Sequence, residues 1–203
     1  MGRSPLSGWP LLWQLRRASL TTRTFGYSVS VEDFAAIRRR LVARITAVAA
    51  RDAYILIGHS LGGVLIRDAV KGLPEEVRHP HHVFLLGSPH RPARLAQALQ
   101  ANRIFRALTR DCGQLLGSRP RMASIGSVSV PTTSIAGVGG PRRKAGPFRG
   151  EPNDGVVALS EVSASWIADE VHLSTIHALL PMSTRAAAII LERLAPAVKK
   201  DPK

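Results

Sequence analysis

Apolar positions along this chain follow two alternating rhythms. Phe34, Ile37, Leu41, Ile45 and Val48 succeed one another at three- and four-residue steps, with Arg38, Arg39, Arg40 and Arg44 between them. That is the period of a helix burying one stripe and wetting the other. It predicts a helix starting at Ser30, with Asp33 as a cap partner. Short apolar runs of a different kind lie at 54–57, 82–86 and 130–136. They read as strands buried on both faces, as in parallel sheets. Two further strands are predicted at 22–27 and 170–173. Helices are predicted over Trp9–Arg17, opened by Pro10, over Leu61–Lys71, stopped near Gly72 and Pro74, and over 94–108 and 183–194. Strands alternating with helices imply an α/β protein: a mostly parallel sheet covered on both faces.

At 203 residues the chain is long enough for one cored domain. We expect a single domain over 1–198 and a frayed tail over 199–203. A Gly/Pro-rich basic loop, GVGGPRRKAGPFRGEPN, interrupts the alternation at 137–153 without breaking the domain.

Lys and Arg number 28 against 14 Asp and Glu, a net charge of +14. The arginines are scattered on helix faces, without a basic-aromatic recognition pattern, so no nucleic-acid partner is expected. An anionic membrane surface is the more plausible use of the charge. Cys112 is the only cysteine and is expected to be a buried thiol, since no disulfide can form within the chain. No apolar run approaches the ~20 residues of a membrane-spanning helix, and the first ten residues hold no apolar leader core. The expected compartment is the cytoplasm, unless a leader lies upstream.

The chemistry concentrates at Gly58-His59-Ser60-Leu61-Gly62, a G-x-S-x-G pattern between an apolar strand and a helix. In that setting a serine sits on a sharp turn with its hydroxyl projecting from the sheet, and small flanking residues let strand and helix approach. A serine hydroxyl needs a histidine base, and the histidine needs a carboxylate to orient it. Asp154, in a turn beyond the fourth strand, and His177, after the last strand, stand in the order serine, acid, histidine. Asp169 and Glu170 precede the last strand and would lie at its wrong end. Asp111 belongs to a helical stretch. His172 falls inside a strand and reads as a packed or hydrogen-bonded residue. His79, His81 and His82 could bind a metal, but Pro80 interrupts them and an exposed loop is the preferred reading. His59 is expected to pack beside the sheet edge. His90 either lines the pocket or forms a turn, and segment 94–108 is either a small cap or a core helix.

GHSLGG (58–63), LLGSPH (85–90), NDGVV (153–157) and the late histidine together resemble the lipase and esterase branch of the α/β-hydrolase family, over most of the chain. The resemblance implies a three-layer α/β-hydrolase fold in compact form. It implies Ser60 as nucleophile, Asp154 as acid, His177 as base and the Leu61 N–H as an oxyanion donor. Carboxylic esters, small molecules or lipids, would be cleaved through an acyl-enzyme, with no cofactor and no metal. The same triad serves a thioesterase or acyltransferase. A non-catalytic, hydrolase-like protein binding lipid or a partner is the reading from another class.

The family also carries an apolar strand ending in His-Gly, and the loop after it supplies the second oxyanion N–H. Met1-Gly2-Arg3-Ser4 resembles the start of that loop, which places this donor at Met1 and leaves the strand missing. The expectation is a chain that begins too late, poorly stable or slow, with a half-built oxyanion hole.

Overall fold

In the computed structural model, residues 8–198 are described. Met1, expected as an oxyanion donor, and the expected tail at 199–203 lie outside them. The elements run α1 (Trp9–Arg17), α2 (Phe34–Ala49), β1 (Ile55–His59), α3 (Leu61–Lys71), β2 (His82–Leu86), α4 (Arg94–Leu99), α5 (Arg103–Gly117), α6 (Arg119–Ile125), β3 (Thr132–Gly137), α7 (Leu159–Val162), β4 (Asp169–Leu173), a 3₁₀ helix (His177–Met182) and α8 (Thr184–Val198).

The strands form one four-stranded sheet in the order β1-β2-β3-β4, with every pairing parallel. Alternate β2 side chains feed opposite layers, as a strand's two-residue period requires. Val83 and Leu85 pack with α2, α3 and α6, around Ile37, Leu41, Leu65 and Met122. Phe84 and Leu86 pack with α1 and α8, against Leu11, Leu15, Ile189 and Ile190. This gives the expected three layers, and it explains why the 82–86 run is apolar at successive positions.

Three expectations change. Segment 22–27 is not a strand. Phe25 and Tyr27 do pack against the core, but a strand needs a ladder partner. The segment and β1 instead line the same cleft, and the Gly26 carbonyl accepts from the Arg40 guanidinium at 3.0 Å. The helix predicted from Ser30 starts at Phe34, because Asp33 is itself the N-cap, accepting from the Ala36 N–H at 2.7 Å. Segment 94–108 is two helices, because Asn102 caps a new start by accepting from the Phe105 N–H at 2.9 Å. Helix α5 also bends at Arg110, where φ is 43°, and α6 was not anticipated.

Among the described residues no strand covers the outer edge of β1. A cleft of about 1080 Å³ follows that edge. Its walls include Leu15, Ile45, Leu65, Leu99 and Phe105, so it is lined largely by hydrocarbon.

Candidate active site

Ser60, Asp154 and His177 follow the carboxyl ends of β1, β3 and β4. Parallel strands bring these ends to one side of the sheet, where crossover loops form sites.

Ser60 sits between β1 and α3 with φ 55° and ψ −125°. A positive φ in a non-glycine residue costs on the order of 1–3 kcal/mol and persists only where its surroundings enforce it. The enforcement is visible. The Ser60 N–H donates to the Leu86 carbonyl at 2.9 Å, and its carbonyl accepts from the Gly63 N–H at 3.0 Å. That carbonyl also accepts from the Ser88 hydroxyl at 2.7 Å. A methyl group on Gly58 would lie 2.5 Å from the Gly63 Cα, and one on Gly63 would lie 2.0 Å from the Ser88 Oγ. The first glycine therefore lets helix meet strand, and the second lets Ser88 approach the helix. Leu61 opens α3, where a backbone N–H has no partner within the helix.

Asp154 and His177 form a buried pair, the ring Nδ1 donating to Oδ2 at 2.6 Å. The other carboxylate oxygen accepts from the Val156 N–H at 2.9 Å and the Val157 N–H at 2.8 Å. The His177 N–H donates to the Asp154 carbonyl at 2.8 Å, so backbone and side chain are held by the same residue. Asn153, fully buried, builds the turn. Its side-chain oxygen accepts from the Gly155 N–H at 2.9 Å, and its amide donates to the Pro141 and Glu151 carbonyls at 3.1 and 2.9 Å. With Nδ1 donating, Nε2 of His177 is left as the accepting nitrogen. Ser60 and His177 line the same cleft.

The other sequence candidates are placed elsewhere. Asp111 caps the neighbouring α2 by accepting from the Phe34 N–H at 2.9 Å, and pairs with Arg121 at 2.7 Å. Asp169 pairs with Arg193 at 3.0 Å. Glu170 pairs with His172 at 2.6 Å, so His172 is the hydrogen-bonded residue of the two readings and is exposed. His82 bonds to the Thr133 hydroxyl at 2.8 Å and stacks on Phe84. His59 lies beside the site: its ring centre is 4.6 Å from that of His177, and its Nε2 donates to the His177 carbonyl at 3.0 Å. Burial raises the Cys112 thiol to about 11, so it is a buried thiol as expected.

Sequence reasoning missed three contributors. Gly87, at φ 53°, is one: a methyl group there would lie 3.0 Å from Asp154 Oδ2 and 3.2 Å from His177 Nδ1. Ser88 is the second, through its bond to Ser60. Arg67, buried on α3, is the third. It donates to the Pro89 carbonyl at 3.0 Å and to the Gly126 carbonyl, and lies over the Trp166 ring. Burial lowers its pKa to about 10. It thereby ties the helix after Ser60 to the loop that carries Ser88. The glycine ending the apolar run in LLGSPH was the one signal that pointed here.

No protein-family model matches the chain, and no curated protein matches its sequence. Solved structures do match. A structure from a study of LipS and LipT, two metagenome-derived lipolytic enzymes, superposes with a TM-score of 0.67 at 15% identity, over 99% of this chain and 91% of that one. The mature Bacillus licheniformis lipase BlEst2 gives 0.63 at 16%, over 94% and 86%. The Arabidopsis methylesterase MES16 gives 0.60 at 12%, over 94% and 93%. The chain has the α/β-hydrolase fold.

Proposed function

We propose that this chain is a serine hydrolase that cleaves carboxylic esters through an acyl-enzyme on Ser60. The observation that carries the reading is the buried Asp154 and His177 pair opening on the same cleft as a serine held at positive φ. His177 Nε2 takes the Ser60 proton as the hydroxyl oxygen attacks the ester carbonyl. Asp154 fixes the tautomer and stabilises the imidazolium that forms. The Leu61 N–H donates to the developing oxyanion. The tetrahedral intermediate collapses, the ester C–O bond breaks, and His177 returns the proton to the leaving alcohol. Water, deprotonated by the same histidine, then hydrolyses the acyl-enzyme to acid and free serine. The residues in these roles need no metal or organic cofactor.

Lipolytic enzymes and a methylesterase among the similar folds support an ester substrate, small molecule or lipid, as does the apolar wall of the cleft. A fluorophosphonate probe tests the reading. It should label the wild-type chain and not Ser60→Ala. A well-folded wild type that stays unlabelled overturns it in favour of a non-catalytic binding protein.

A further inference from the structure

The 3₁₀ helix His177–Met182, which carries the base, has three faces, because its side chains repeat every third residue. His177 and Leu180 are buried on one. Ala178 and Pro181 line the cleft on the second. Ile176, just before the helix, Leu179 and Met182 fall on the third, and they are 43, 47 and 44% exposed. So the outward face is apolar as well, where a solvated helix would carry polar groups. Helix α1 packs against this element and carries Trp9 and Trp13, 51 and 48% exposed. Arg16 and Arg17 lie over their rings.

The two segments that carry these side chains are basic. Residues 9–31 carry Arg16, Arg17 and Arg23 with no Asp or Glu, and residues 174–191 carry Arg185 with none. Exposed leucine and methionine, with tryptophans that carry arginines over their rings, match the boundary of an anionic bilayer, where apolar side chains sink and cations meet headgroups. A second copy of the chain suits the face poorly, since each copy carries a net charge of +14.

We propose that Ile176, Leu179 and Met182, together with Trp9 and Trp13, dock the protein on an anionic lipid surface and hold the cleft against it. The proposal rests on the reading of the cleft as an acyl-ester site, but its test does not use turnover. Ser60→Ala protein is sedimented with vesicles of phosphatidylcholine alone and with vesicles of equal parts phosphatidylcholine and phosphatidylglycerol. The anionic vesicles should bind at least about tenfold more tightly, and adding Leu179→Ser and Met182→Ser should weaken that binding about tenfold or more. Trp9→Gln with Trp13→Gln, on a separate helix, should weaken it comparably and covers the case in which the first variant misfolds. Three results overturn the proposal: equal binding by variants and parent, binding that salt abolishes identically in all of them, or a parent dimer that the substitutions disperse. Loss of probe labelling at Ser60 would leave the vesicle result standing, and loss of vesicle binding would leave the labelling standing.

Discussion

His177 and His90 invite comparison. Each follows a strand of the same sheet, at its carboxyl end, and each is 8% exposed. Their surroundings differ in the sign of the nearest charge. His177 donates to the Asp154 carboxylate at 2.6 Å and faces the cleft. His90 packs edge-on against Trp166, and neither ring nitrogen has a hydrogen-bond partner of normal geometry. Burial first, then the Arg67 cation, lower its pKa to about 3, against a lesser opposing pull from the Val162 backbone. The carboxylate beside His177 orients the ring and leaves Nε2 as its accepting nitrogen. Burial beside a cation makes a ring that stays neutral and serves packing.

Exchanging the two rings for leucine breaks the comparison most sharply. His177→Leu should lower ester turnover by on the order of 10⁴–10⁶, while His90→Leu should stay within a few-fold of wild type. Steady-state kinetics on a p-nitrophenyl ester read both. A comparable loss in the two variants would dissolve the contrast.

Asp154→Asn isolates the carboxylate. The ring keeps its place through the backbone bond to residue 154 but loses the partner that fixes its tautomer, and kcat should fall by roughly 10³–10⁴ with little change in KM. Gly87→Ala presses on the same pair from β2, because its methyl group meets Asp154 Oδ2 at 3.0 Å on a backbone with φ 53°. A displacement of that kind should cost roughly 10–10² in kcat. Arg67→Met acts on the other arm. It leaves the Pro89 and Gly126 carbonyls without their donor, and chemical denaturation should show a loss of about 2–3 kcal/mol, with a smaller loss of activity.

The remaining effect is in pH. The His90 ring titrates at its ordinary 6.5 in the unfolded chain and at about 3 in the fold. The unfolded chain therefore binds the proton first as pH falls. The stability tied to the neutral ring is complete above about pH 6.5 and is lost progressively toward pH 3. His90→Leu should flatten the melting temperature across that window, and an unchanged slope would assign the acid sensitivity to other groups.

Local pattern was enough for much of the molecule. The apolar period of α2, the run at 82–86 and the glycines around Ser60 are each written within a few residues, and they predicted a helix, a buried strand and a strained turn that the structure contains. The partnership of Asp154, beyond β3, with His177, beyond β4, was legible through chain order. Segment 22–27 failed for a physical reason. Residue types can suit an extended segment, whereas a strand exists only if a neighbouring backbone pairs with it. The break at Asn102 was hidden in one amphipathic stripe spanning two helices.

What the sequence could not rank were groups whose chemistry depends on neighbours far along the chain. His90 and His177 look alike as letters, and 87 residues separate them. Folding buries both rings but puts the Arg67 cation near one and the Asp154 carboxylate against the other, so only His177 has a partner that orients its ring. Ser88 and Gly87 gain their roles in the same way, by meeting Ser60 and Asp154 across the sheet. The sequence by itself determined the parts: the layers, the turn at Ser60 and the order of Ser60, Asp154 and His177. The tertiary structure alone decided which buried group has which neighbour, because Coulomb energy and close contact depend on distance in space and not along the chain.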